Sequence, residues 1–260
     1  MKATLYLGHT LVMPPRLYAD LPLSGGLTIS LPSGAARHVQ VLRLQPGAAL
    51  TLFNGAGGEW SAWVVTMGRS EVQVRVDEHH AADRELPLPV TLALGMPANE
   101  RMDALVEKAT ELGVAAVQPL VCQRSVLRLS GERAQKKVAH WQGVAVAACE
   151  QCGRTCVPRV EPVLAFDDWL ARLPAEDGVR RVVLSFTGTA STLPQGAGHA
   201  AGLLCLSGPE GGLTEAEEAA ARRAGFVPIS LGPRVLRADT APLALLAHLA
   251  LSALAQPQSA

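Results

Sequence analysis

The residues best placed to do chemistry in this chain are glycines and charged groups at two strand-to-helix junctions near its C-terminus. The first, Leu206-Ser207-Gly208-Pro209-Glu210-Gly211-Gly212-Leu213-Thr214, leaves an apolar run through glycines and enters a helix. Thr214 with Glu217 three residues later forms a capping box, which fixes where that helix starts. In an α/β sheet, ligands sit outside the carboxyl ends of strands, and glycines there let backbone amides approach a ligand closely. The segment therefore reads as a cofactor loop, with an ordinary tight connection as the bland alternative. It is not a P-loop, since no Gly-Lys-Ser/Thr follows, and its spacing is not the Gly-x-Gly-x-x-Gly dinucleotide fingerprint. At Gly211 a branched side chain would fill the space where backbone meets ligand, and the position is a candidate for a φ that only glycine adopts readily.

The second junction is Leu231-Gly232-Pro233-Arg234-Val235-Leu236-Arg237-Ala238-Asp239-Thr240-Ala241. Two arginines and an aspartate at such a place suit a charged ligand; the alternative is solvated charge beside a helix N-cap at Asp239 or Thr240. Cys149, Cys152 and Cys156 crowd a third segment. A structural zinc site needs four ligands, and no partner Cys or His pair lies at suitable spacing, so no metal is expected. Cys149 and Cys152, three apart on a helix that also carries Ala145 and Ala148, read as small core residues. From Arg124 to Lys137 there are five basic residues (Arg124, Arg128, Arg133, Lys136, Lys137) against one acid, Glu132, a patch able to contact phosphates or to serve as a solvated helix face. Trp60 and Trp63 alternate too little with basic residues to make a base-stacking platform.

These groups need a frame to hold them. Val72, Val74 and Val76 alternate with Gln73, Arg75 and Asp77, while Leu50 to Phe53 and Trp60 to Val65 flank the turn at Asn54 to Gly58, so the first third is a small β domain. Charged residues from Asp77 to Glu85 and the prolines Pro87 and Pro89 mark a boundary near Asp83. Beyond it, Val90 to Met96 reads as a buried strand, and Met102, Leu105, Val106, Ala109 and Leu112 fall at helical spacing before a C-capping Gly113. Val114 to Val121 is the next strand, followed by a helix from about Glu132 to Gly153. Strands follow at Val179 to Phe186, Leu203 to Leu206 and Val227 to Leu231, with helices starting near Thr214 and Thr240. Such alternation implies α/β layers around a mostly parallel sheet.

With 23 Lys+Arg against 23 Asp+Glu, the chain of 260 residues gives no global electrostatic argument for nucleic acid or membrane, so basic patches must act locally. The longest apolar stretch, Ala241 to Ala255, is interrupted by His248 and falls short of the roughly 20 residues that span a bilayer. The first residues do not read as a secretory signal, and five cysteines without a framework spacing suggest reduced thiols and a cytoplasmic protein without a membrane partner.

Leu206 to Leu213 and Leu231 to Ala241, in this order, closely resemble the paired cofactor-binding loops of the SPOUT methyltransferases, specifically the RsmE family acting on N3 of a uridine in 16S rRNA. The likeness extends from about Pro15 to about Leu251. It includes Arg37-His38-Val39-Gln40-Val41-Leu42-Arg43 with Pro46-Gly47, Lys108-Ala109-Thr110-Glu111-Leu112-Gly113, Arg124-Ser125-Val126, and Ala148-Cys149-Glu150-Gln151-Cys152-Gly153-Arg154 with Val157-Pro158. The resemblance implies an α/β protein: a PUA-like β-barrel over residues 13–83, a C-terminal SPOUT α/β trefoil-knot domain over 84–260, and an extension at 1–12. It also implies S-adenosyl-L-methionine as cofactor, a homodimer, and 16S rRNA in the assembled small ribosomal subunit as partner. The cofactor would be held by Leu206, Ser207, Gly208, Pro209, Glu210, Gly211 and Gly212 from one loop. Leu231, Gly232, Val235, Leu236, Arg237, Thr240 and Ala241 would contribute from the other, and Leu184 from the strand before them. Arg16, Arg37, His38, Arg43, Arg124 and Arg128 are the expected RNA contacts.

Methylation at N3 requires loss of the imide proton. Glu150 and Asp239 are the carboxylates of the matched motifs; Arg124, Arg154 and Arg237 are candidates to stabilise the uracil anion or bind phosphate. Two departures stand out: Asp239 occupies a place where the family usually has Glu, and Ser185-Phe186 a strand end where relatives often carry His-Pro. Rival readings are a knotted methyltransferase with another RNA target and an inactive RNA-binding assembly factor. Intact Gly208, Gly211, Gly212 and Gly232 argue against the latter. Removal of residues 1–12 is expected to leave activity intact.

Overall fold

In the computed structural model, which describes residues 14–68, 71–175, 178–186 and 200–254, the chain divides into two units, Met1–Asp83 and Arg84–Ala260. The expected extension at 1–12 lies outside the described residues.

The N-terminal unit follows from period-two alternation. Strands β1 (Arg16–Tyr18), β2 (Thr28–Ser30), β3 (Ala49–Phe53), β4 (Glu59–Met67) and β5 (Val72–His80) form one sheet in the order β1-β3-β4-β5-β2. All pairs are antiparallel except β1 with β3. Leu50, Leu52, Trp60, Ala62, Val64, Val72, Val74 and Val76 point to one core. Helix α1 (Ser33–Val41) was not foreseen in a domain read as β; Ala35, Ala36 and Val39 give it a buried face against that core. Trp60 is buried while Trp63 is exposed. Arg16, expected to meet RNA, has a structural role in the sheet. Its side chain is almost buried, ion-paired with Glu59, and stands 5.0 Å over the Phe53 ring, so it braces β1 against β3 and β4.

In the C-terminal unit, β6 (Val90–Gly95), α2 (Asn99–Glu111), β7 (Ala116–Val121), α3 (Gly131–Cys152), β8 (Arg159–Val160), β9 (Leu164–Ala165) and α4 (Phe166–Ala171) come first. Then follow β10 (Val179–Leu184), β11 (Gly202–Ser207), α5 (Glu215–Arg223), β12 (Val227–Ile229) and α6 (Thr240–Leu254). The sheet runs β12-β10-β11-β6-β7-β8, with β9 also on β7, and every pairing is parallel. Alternate residues of one strand serve opposite faces. Leu92, Leu94, Leu203 and Cys205 pack with Met102, Leu105 and Val106 of α2, Trp141 of α3 and Leu245 of α6. Ala93, Leu204 and Leu206 pack with Phe166 and Trp169 of α4 and Ala221 of α5. Near-continuous apolar strands are what a parallel sheet covered on both faces requires. β8, β9 and α4 escaped the sequence pattern because two to six residues show no period.

Arg154, a candidate for catalysis, is a buried brace instead. Its Nη1 donates to the carbonyls of Thr110 and Val114, both at 2.9 Å, and its other edge is ion-paired with Glu85. Cys149 is buried, with its Sγ 3.6 Å from the Cys156 carbonyl, and all five cysteines are unbridged. Among the described residues no group of three or more His, Cys, Asp or Glu could hold a metal ion, and no helix is long and apolar enough to cross a membrane.

Asp103 ties α2 to α3: Oδ1 accepts from Trp141 Nε1 and Oδ2 meets His140 Nε2, each at 2.8 Å. Burial pushes its carboxyl up, but hydrogen bonds from His140 and Trp141 and the charges of His140 and Lys137 outweigh this and hold it below the usual range. A lowered folded-state pKa contributes stability that is present above the unfolded value, about 3.9, and is lost as pH falls through the folded one. Over a third of the side chain is exposed, so screening keeps the effect modest. Asp103→Asn should cost about 1 kcal/mol at pH 7 by urea unfolding. The gap to the wild type should close well below pH 4; a pH-independent gap would contradict the assignment.

Candidate functional site

Parallel pairing brings three strand ends to one edge. Val183 pairs with Leu206 and Leu184 with Ile229, so Ser185 and Ser230 leave the sheet level with one another, one residue beyond Ser207, the last residue of β11. The segments that follow β11 and β12 close, with the end of β10, around a cleft of about 710 Å³. Leu184, Phe186, Ile229, Leu231, Leu236 and Ala241 supply apolar wall, while Ser185, Ser207, Glu210, Glu218, Arg101, Arg234 and Arg237 supply polar groups.

The glycine loop is held by close packing. A Cβ on Gly208 would stand 2.7 Å from the Leu213 nitrogen and 2.9 Å from the Gly212 carbonyl carbon, so the turn closes only around glycine. The left-handed position is Gly212, at φ +68, and not Gly211 as expected; a Cβ on Gly211 would meet the Arg124 side chain at 3.0 Å. Arg124 in turn donates from Nη1 to the carbonyls of Gly211 (3.0 Å) and Leu213 (3.3 Å). Glu210 accepts from the Ala98 N–H at 2.9 Å and lies 3.5 Å from Arg101. The capping box is formed: Thr214 Oγ1 accepts from the Glu217 N–H, and Glu217 Oε2 accepts from the Thr214 N–H. Burial pushes the nearby Cys122 thiol up to about 12, with the Glu217 charge adding to the shift, which leaves it unreactive.

Of the expected cofactor residues, Leu184, Ser207, Gly208, Pro209, Glu210, Gly211, Gly212, Leu231, Val235, Leu236, Arg237 and Ala241 line this cleft. Leu206 is buried one residue back in the sheet; Gly232 and Thr240 belong to the adjoining backbone and are not on the lining. Of the candidates for chemistry, Arg237 lines the cleft, and Arg124 grips its glycine loop. Asp239 lies between the lining residues Ala238 and Ala241, with Oδ1 buried and without a hydrogen-bond partner among the described residues. Glu150 and Arg154, at the end of α3, are not on the lining. Arg128 is exposed and donates to the Gln123 carbonyl; Arg37 and Arg43 are exposed and His38 half-buried in the N-terminal unit.

Sequence reasoning missed Arg101, Glu218 and Ile229 as lining residues; Ser185, Phe186, Leu213, Arg234 and Ala238, which it placed in or beside the loops without assigning them to the cofactor, line the cleft as well. Arg101 sits in the first turn of α2, just beyond the end of β6, where the strand-end rule points. For Glu218 nothing in the local sequence separates it from the adjacent Glu217.

An all-parallel sheet with glycine loops at its carboxyl edge is an α/β ligand-binding frame, and comparison with known proteins makes its class that of the SPOUT RNA methyltransferases. A family model described as RNA methyltransferase domain matches residues 84–250, and one described as RNA methyltransferase PUA domain matches residues 31–77. The C-terminal unit is accordingly a SPOUT α/β trefoil-knot domain, the N-terminal one a PUA-like β-barrel. Ribosomal RNA small subunit methyltransferase E of Bacillus subtilis is 34% identical over 226 residues, covering 83% of this chain and 87% of its own length. Its counterpart in Synechocystis is 33% identical, over 85% of this chain and 72% of that protein. The crystal structure of the Neisseria gonorrhoeae enzyme of that name, bound to S-adenosyl methionine, is similar with a TM-score of 0.84 at 35% identity, covering 91% of this chain and 97% of that one. The chain belongs to the ribosomal RNA small subunit methyltransferase E family.

Because the Gly208 clash is with backbone, Gly208→Ala should displace the loop and weaken S-adenosylmethionine binding at least about tenfold by calorimetric titration, with a folded protein. Wild-type affinity would show that the loop does not shape the cleft.

Proposed function

We propose that this chain is a cytoplasmic, homodimeric methyltransferase that uses S-adenosylmethionine to methylate N3 of a uridine in 16S rRNA of the assembled small ribosomal subunit. The observation that carries this reading is the cleft at the ends of β10, β11 and β12, whose volume of about 710 Å³ suits a nucleoside cofactor. The donor set fits as well: apolar walls, glycine backbone, and two carboxylates, Glu210 and Glu218, to face a cationic ligand.

S-adenosylmethionine supplies a methyl group that is already electrophilic, so no metal is needed. The chain must hold the imide nitrogen in line and stabilise the charge left when its proton departs. Arg237 and Arg234 line the cleft and can stabilise the uracil anion. Asp239, beside the lining and with an unsatisfied buried oxygen, is better placed than Glu150 to accept a proton. Because N3 is occupied in a base pair, the target must be single-stranded or flipped out. Exposed Arg37 and Arg43, with His38, in the N-terminal unit and exposed Arg124 and Arg128 in the C-terminal one are the RNA contacts of this reading. Arg43 holds φ at +53, a conformation uncommon outside glycine and enriched at functional positions. A second copy of the chain would cover Val235 and Leu251, apolar side chains 83% and 68% exposed.

Small-subunit RNA from a strain lacking the gene should lose N3-methylation at one uridine by mass spectrometry, and this chain should restore it. Restoration at a different base, or none, would favour another RNA target or an inactive assembly factor. Changing Arg37 and Arg43 together to Ala should weaken RNA binding and make its log–log salt slope shallower by about 1 to 2. Cofactor affinity and melting temperature should hold; unchanged RNA affinity rejects the contact.

A further inference from the structure

We propose that Glu218 is a cofactor-binding residue, whose carboxylate accepts a hydrogen bond from an O–H or N–H donor of S-adenosylmethionine; the inference rests on the cofactor assignment above. Glu218 lies in the first turn of α5 and on the lining of the cleft, with its side chain 19% exposed. Ser185 Oγ donates to its Oε1 at 2.7 Å, and Arg222 Nη2 to the same oxygen at 2.8 Å. No hydrogen bond among the described residues reaches Oε2, and an ionised carboxylate has about four lone-pair sites. Two donors on one oxygen hold the group in a single orientation and leave the other oxygen as a preorganised acceptor.

Neighbouring Glu217 makes the contrast. Both of its oxygens are consumed by Gln123 and Thr214, so of two consecutive glutamates one is spent on the loop and one remains on the cleft. A simple i,i+4 pair with Arg222 would not need Ser185, which leaves the end of β10 to meet Glu218 across the sheet edge. A carboxylate suits a ligand bearing a sulfonium cation, and the ligand's donors are its ribose hydroxyls, its adenine amine and its amino-acid ammonium.

The test is calorimetric titration of wild type, Glu218→Gln and Ser185→Ala with S-adenosylmethionine and with 5′-methylthioadenosine, which keeps the nucleoside but lacks the ammonium. Melting temperatures without ligand accompany each titration. Glu218→Gln should lose about tenfold in S-adenosylmethionine affinity, and Ser185→Ala, which frees the carboxylate without removing it, about threefold. Ligand-free melting temperatures should stay within about 2 °C of wild type. An equal loss for methylthioadenosine supports a donor on the nucleoside, and a loss confined to S-adenosylmethionine supports the ammonium. Wild-type affinity in both variants, or losses that follow a fall in ligand-free melting temperature, overturns the proposal and leaves the function standing. Failure of the wild type to bind S-adenosylmethionine overturns the function and the proposal with it.

Discussion

The buried carboxylate of Glu217 is the constraint on which the site depends. Only 8% exposed, it has no ion pair among the described residues, and it is satisfied by neutral donors: the Gln123 N–H at 2.7 Å on one oxygen, the Thr214 N–H at 2.8 Å and hydroxyl at 3.0 Å on the other. A charge taken out of water persists only with such a complement. The complement comes from two segments 94 residues apart in sequence for the Gln123 bond, so the exit of β7 and the start of α5 are fixed together. That single fixture sets both ends of the glycine loop's surroundings: Thr214 where the loop enters its helix, and Arg124, next to Gln123, where its guanidinium grips the Gly211 and Leu213 carbonyls.

What the sequence made legible and what it hid divide along a physical line. Period-two runs such as Val72, Val74, Val76, the capping box at Thr214, and the helical spacing of Met102 to Ala109 are local signals, and the structure contains each of them. The burial of Arg16 and Arg154 was hidden because a sequence displays charge and not burial. Each guanidinium turned out to be paired with a glutamate more than 40 residues away, Glu59 and Glu85. Helix α1 was hidden for a related reason: nine residues with only three buried give too short a stripe to outweigh the surrounding β pattern. The cleft residues Arg101, Ser185 and Glu218 lie on α2, β10's exit and α5, and only the parallel register brings them together.

The pairing of charges explains how a chain that is neutral overall keeps arginines available in its cleft. Within the cleft, Glu210 lies beside Arg101, and Glu218 is paired with Arg222, so these acids are oriented by their partners and their charge is partly offset. Arg234 and Arg237 have no such partner among the described residues, and both line the cleft. Paired groups there give shape, because each is fixed by a second residue; unpaired arginines keep their full charge for whatever anion enters. A low-dielectric cleft magnifies that attraction. The distribution of pairs, more than the number of charges, is therefore what separates the groups that build this site from those left to act in it.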